Sequence, residues 1–394
     1  MSASLGDRLR EARKRAGLSQ RELARHSGVS YSLITKIEQD ERRDTRMETL
    51  HRLARVLDTT TTALLTEPAV DDPSADGHST PPQWHGVQDA LTDTATDVAE
   101  APTLRGVQEL AEAAVRAYRS TDYDALAVLL PGLIRDSHTL AEITPQGGPL
   151  RVRALTMAGR LMTQTRQYAV ADTALSRAMH YAPDTPFAVA AVDLRCWLLL
   201  RRGRVEEVLE LVAQWADQIE PRFPRATPTE LSLYGWLLLR GAAAAGRDNR
   251  PDEAKGMLRL AEAAAVAAGR PHQLRQLGFI HTFSVSAVRM QRAEYAMVRD
   301  RPDDVLRLSA QVGVEQMSPT SGSRNRHLLD VANAQTRTRR YGPAVETLMS
   351  IYGNAPQWLP HQRYARDIVR SIVERRRTLT PEMRQLAGVV RLPL

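Results

Sequence analysis

Tyr31, Ser32, Thr35 and Lys36 fall on one face of a short stretch, YSLITKIE, whose other face carries Leu33, Ile34 and Ile37 at helical spacing. A phenol, two hydroxyls and an ammonium so arranged suit hydrogen bonding to base edges in a DNA major groove, where every base pair presents its own order of donors and acceptors. Ser30, which opens that helix, and Arg21, from the helix before it, are further candidates to bind DNA. Downstream, Arg42, Arg43 and Arg46 crowd the loop QDERRDTR, and guanidinium groups there suit phosphate oxygens. The same apolar pattern also fits two amphipathic helices joined by a glycine turn, with no commitment to DNA.

The elements that must hold these residues are legible on either side. Ser19 with Glu22 three residues on reads as a capping box, so a helix begins near Gln20 and buries Leu23 and Ala24. Gly28 then ends it, because a residue without Cβ tolerates the left-handed turn that follows. Ser30 caps the next helix. Leu5, Leu9 and Ala12 form the stripe of an earlier helix, Met47 to Leu57 that of a later one, and TTTTALL a short closing turn. Over residues 5 to 66 the motifs LSQRELA, GVSYSLITKIE and METLHRLARVL resemble the XRE (Cro-like) helix-turn-helix family. The resemblance implies a five-helix DNA-binding head over residues 1–66, a phosphate contact and bracing role for Gln20, an internal salt bridge between Arg13 and Glu38, and base reading by Tyr31, Ser32 and Lys36.

Composition sets wider bounds. The 394 residues allow roughly two or three domains. Four Phe, ten Tyr and five Trp against abundant Ala, Leu and Arg favour helices packed on helices, so an all-α chain with almost no sheet is expected. The single Cys196 excludes an internal disulfide and multi-cysteine zinc sites, and points to a reducing cytoplasm. No run approaches the ~18 apolar residues that span a bilayer, so no membrane partner is expected. The formal charge of +7 is uneven: residues 1–66 carry thirteen Lys or Arg against nine Asp or Glu, whereas 67–102 carry eight acids and no Lys or Arg. A basic head suits a polyanion, since neutralising phosphates releases counterions.

Residues 67–102, rich in Pro, Ser, Thr and Asp, read as an acidic linker, in which Trp84, Val87 and Leu91 have the spacing of a short docking helix. From 103 to 394 one helix follows another. Leu155, Ala158, Gly159, Met162, Tyr168, Ala171, Leu175, Ala178 and Pro183 resemble the order of large, small and proline positions in a tetratricopeptide repeat. Anchors at 123, 168, 205, 251, 302 and 341 are 45, 37, 46, 51 and 39 residues apart, longer than the ~34 of that repeat. An ordinary helical bundle is the competing architecture.

A helix-turn-helix head followed by tetratricopeptide-like repeats resembles the peptide-sensing regulators of bacterial quorum systems. That resemblance implies a homodimer on double-stranded DNA with an inverted-repeat operator, controlled by a peptide or small-molecule effector in the concave face of the repeats. Repeat geometry assigns Arg153, Thr156, Arg160 and Gln164 to that face, with Asp193, Trp197 and Arg201 in the next repeat and Asn333 and Arg337 in a later one. Arg beside Trp suits a carboxylate or planar acid. The alternative is a DNA-tethered scaffold whose repeats dock a partner protein. No catalytic constellation, metal-ligand spacing or cofactor motif is apparent, and Cys196 falls at a small-residue packing position.

Overall fold

Serine side chains open the first helices. In the computed structural model, which describes residues 4–42, 45–65, 80–92, 101–182, 184–314, 317–318 and 320–394, Ser4, Ser19 and Ser30 each accept a hydrogen bond from a backbone N–H of the following turn. They start α1 (Leu5–Arg15), α2 (Gln20–Ser27) and α3 (Tyr31–Glu38). Asp7 and Glu22 complete capping boxes by reaching back to the cap residues. Gly28 ends α2 at φ 67°, so the chain turns there without a Cβ penalty. α4 (Met47–Val56) and α5 (Thr61–Leu64) close the head around Leu9, Leu23, Ile34, Ile37, Leu53 and Leu64. Leu33, which the pattern allows inward, is only half-buried.

Arg43, Pro183 and the stretches 66–79 and 93–100 of the acidic segment lie outside the described residues. Between those two stretches, α6 (His85–Thr92) packs against the repeat helices with Trp84, Val87 and Leu91 buried. Its apolar face finds there the partner that a short helix needs to persist.

The rest of the chain is a stack of antiparallel helix pairs. α7 (Leu104–Arg119) pairs with α8 (Tyr123–Ile143), α9 (Gly147–Gln164) with α10 (Tyr168–His180), and α11 (Thr185–Arg202) with α12 (Val205–Ile219). α13 (Pro228–Arg247) pairs with α14 (Pro251–Ala267), α15 (Val285–Val298) with α16 (Pro302–Ser309), and α17 (Gly322–Arg337) with α18 (Tyr341–Asn354). α19 (Arg363–Val373) and α20 (Pro381–Val389) end the array. The first helices of successive pairs pack on one another, making a continuous inner layer from α7 to α19.

Each anchor seen in the sequence is the first residue of a second helix, and the turn before it repeats one geometry. Thr121, Arg166, Gly203, Asn249, Asp300 and Arg339 are left-handed, with φ between 58° and 77°. The N–H of the next residue reaches back five positions to a carbonyl, from Asp122 to Ala117, Gln167 to Met162, Arg204 to Leu199 and onward. This is the Schellman ending, which satisfies carbonyls that a helix C-terminus leaves open. Small residues bring the paired helices together: a Cβ built on Gly159 would lie 2.5 Å from Leu175.

A long connection between α14 and α15 accounts for the 51-residue gap. It folds into a two-residue antiparallel ladder, His272–Gln273 with Thr282–Phe283, and lies against the inner layer. Phe279 and Phe283 bury against Trp236 at ring distances of 6.4 and 5.8 Å, and a Cβ on Gly235 would sit 2.0 Å from Phe283. Glycine at 235 is what lets the phenyl ring reach the helix backbone.

Candidate nucleic-acid interface and effector cavity

The exposed side of α3 presents Tyr31, Ser32 and Lys36 to solvent, and Ile34 and Ile37 anchor the other side in the head core. Arg21 lies 5.8 Å from the Tyr31 ring and extends this surface. Ser30 spends its hydroxyl on the N–H of Leu33, and Thr35 donates to the Tyr31 carbonyl at 3.0 Å and to Gln20 Oε1 at 3.3 Å. Gln20 in turn donates to Glu38 Oε2 at 2.8 Å. Arg13 grips both oxygens of the buried Glu38 carboxylate at 2.7 and 2.8 Å, tying α1 to the end of α3. Burial pushes the Glu38 carboxyl upward, but the Arg13 and Gln20 hydrogen bonds and the Arg13 charge prevail and hold it low.

Arg42 and Arg46, which flank the undescribed residues 43–44, face the repeats. Arg46 pairs with Asp367 at 3.4 Å, and both Arg42 and Arg46 line the space between head and repeat domain.

Docking itself is polar and local. Thr62 donates its N–H to Asp248 at 2.8 Å and its hydroxyl at 3.2 Å; Thr61 donates to the Arg247 carbonyl at 2.9 Å; Asn249 donates to the Thr59 carbonyl at 3.0 Å. His51 Nδ1 lies 2.7 Å from the Arg247 carbonyl, a contact that requires the proton on Nδ1. Burial, with the charges of Arg55 and Arg247 adding, lowers the imidazole to about 4. Because burial holds the folded value below the ordinary 6.5, the stability gained by seating the neutral ring is full above pH 6.5 and falls as the pH drops toward 4. At pH 5 the loss is about 2 kcal/mol by linkage. Thermal unfolding followed from pH 7 to pH 5 is therefore expected to fall more steeply in the natural chain than in His51→Gln, and parallel profiles would remove His51 from the joint.

Between the head and the inner layer lies a cavity of about 1290 Å³. Met47, Leu50, His51 and Arg55 form its roof, and α9, α11, α13, α15, α17 and α19 its floor. Arg160, Gln164, Trp197, Arg201, Asn333 and Arg337 line it. Asn333 is engaged with the Tyr364 hydroxyl at 2.8 Å, while Arg337 crosses to Glu48 of the head at 3.2 Å and also pairs with Asp300. Arg153, Thr156 and Asp193, assigned to the same face by repeat geometry, lie off the cavity. Arg153 pairs with Glu112, Thr156 bonds the Arg153 carbonyl, and both sit beneath Gly278 of the long connection. Asp193 is buried and holds Arg240 through two hydrogen bonds of 2.8 and 3.1 Å.

Other lining residues escaped the sequence reading. His281 comes from the long connection, and Trp236 and Arg240 from α13, the fourth helix of the inner row. Glu294 joins Arg247, whose backbone carbonyl holds the head, to Arg326 at 3.6 Å, and Arg326 continues to Asp330 at 2.9 Å. The basic residues and Asp at the turn GRDNRP were the signal available, but nothing local says that they meet residues near 50 and 60. Cys196 is buried beside Asp193, and burial first, then that carboxylate, push its thiol up to about 12, the opposite of an activated nucleophile. Among the described residues no His, Cys, Asp or Glu cluster could hold a metal ion, and no helix is long and apolar enough to cross a membrane.

The arrangement defines a helix-turn-helix DNA-binding head docked on a helical-repeat domain. Residues 4–67 match the family described as "Helix-turn-helix domain". No curated protein matches the chain.

Proposed function

We propose that the chain is an XRE-type transcriptional regulator that binds an inverted-repeat operator as a homodimer, with its operator affinity set by an effector in the cavity between head and repeats. The observation that carries this reading is the placement of the head: Tyr31, Ser32 and Lys36 are exposed and off the cavity, while α4, through Met47, Leu50, His51 and Arg55, roofs it. Whatever fills the cavity touches the body that carries the recognition helix. A single head buries little surface on DNA, so pairing through the repeat domain supplies the effective concentration that specific binding needs. A small-molecule effector is favoured over an extended peptide, because the long connection and the head together occupy much of the groove. We read the repeat domain as tetratricopeptide-like, and the protein as working in the cytoplasm without a catalytic role.

The test is to determine which genomic fragments the purified chain selects at a stated salt concentration, and to repeat it with Lys36→Ala. Recovery of a recurring inverted repeat is expected, with the variant losing about 1–3 kcal/mol and its preference at one base position. Salt-sensitive binding with no sequence preference would reject a specific regulator and leave a head that merely holds DNA electrostatically.

A further inference from the structure

The cavity wall contains cations whose charge the protein does not balance. Several arginines of its floor are matched: Arg240 by Asp193, Arg247 by Glu294, Arg326 by Asp330. Arg160 and Arg201 are not, and among the described residues no carboxylate stands within ion-pair distance of either. Arg160 is only 4% exposed, its one hydrogen bond is a 3.4 Å contact to the Gly278 carbonyl, and its Nε–H has no partner. Arg201 faces the Tyr168 hydroxyl. Both line the same cavity as Tyr118, whose ring centre lies 6.0 Å from the Arg160 guanidinium.

Neutral donors point the same way. Gln164 Nε2 and Trp236 Nε1, both nine-tenths buried and lining this space, also lack partners. A buried guanidinium left with an open N–H is among the more costly arrangements a folded protein can hold, and such groups are normally satisfied. Several donors without an acceptor, beside the apolar Trp197, Leu200 and Leu239, describe the complement of an oxyanion attached to a flat apolar body.

We propose that the cavity takes a small organic oxyanion, a carboxylate or a phosphate monoester, held between Arg160 and Arg201 with its apolar body against Trp197 and Trp236. This rests on reading the cavity as an effector site and names the effector's chemical class. The anion supplies acceptors for the open N–H groups and the counter-charge that the wall lacks.

Isothermal titration of the full chain without DNA, using 2-naphthoate, 2-naphthyl phosphate and the neutral 2-naphthamide, tests it. At least one of the two acids is expected to bind saturably, and the amide at least about tenfold more weakly, the factor a charge-assisted hydrogen bond supplies. The tighter of the two acids identifies the oxyanion. Arg160→Met and Arg201→Met are each expected to weaken that acid by about tenfold or more, while Arg105→Ala, exposed on an outer helix face, leaves it unchanged. Equal binding of amide and acids, no binding of either acid at millimolar concentration, or an Arg160→Met/Arg201→Met double variant with undiminished affinity would each overturn the proposal. The comparison of acid with amide is made on the natural chain and stands even where a variant fails to fold. Fragment selection on DNA is a separate measurement, so failure of the titration with operator selection intact removes the anion and leaves the regulator.

Discussion

Asp193→Ala is expected to lower thermal stability by about 3–5 kcal/mol, the range found when one partner of a buried ion pair is removed. Asp193 is 2% exposed and both of its oxygens are taken by Arg240. Without them the half-buried guanidinium stays charged, facing a region that already contains Arg160. The same substitution makes a second, opposite prediction. Arg240 lines the cavity and Asp193 does not, so the variant adds one more unbalanced cation to the wall. Its affinity for an acidic probe is expected to rise while its unfolding temperature falls. Circular dichroism melts alongside calorimetric titration read both quantities, and a variant that melts like the natural chain would show that the pair is idle.

Glu38→Ala is the other large effect expected, again about 3–5 kcal/mol, and here it falls on the head alone. Glu38 collects Arg13 from α1 and Gln20 from α2 at the C-terminal end of α3, so a single carboxylate fixes the tilt of the recognition helix against its two neighbours. A head this small has little stability to spare, and loss of operator binding should accompany loss of its cooperative melt. The pH dependence has a definite sign. The carboxyl is held below its ordinary value of 4.5, so its contribution is present above that pH and disappears as the solution is acidified through the folded value. Glu38→Gln keeps the shape and removes the charge; a melt as stable as the natural one would assign the role to packing.

What was legible in the sequence is what local chemistry decides. Ser19, Glu22, Gly28 and Ser30 announce helix ends through bonds that span three or four residues, and the structure has those ends. The repeat anchors are visible for the same reason, since each stands two residues beyond a left-handed turn that only a helix C-terminus requires. The Arg13–Glu38 pair came from family resemblance and is present. The joint was not legible: His51 meets a carbonyl 196 positions away, and no spacing rule connects them. Counting positions along inner helices was also insufficient at Arg153 and Thr156, because the covering residue, Gly278, comes from a connection whose path is set by Phe279 and Phe283 packing on Trp236.

The docked head also bears on how long the protein lasts. A segment of about 60 residues buries only ~60% of the surface its unfolded chain exposes, so by itself the head is marginal. Contacts from Thr61, Thr62 and His51 to Arg247 and Asp248 bind the folded head and not the unfolded one, and thereby hold the folding equilibrium toward order. Opening the joint withdraws that support and raises the fraction of time in which α1 to α5 are accessible to a protease. Turnover of the chain, and with it the number of molecules available to DNA, is thus tied to the same few hydrogen bonds that seat the head.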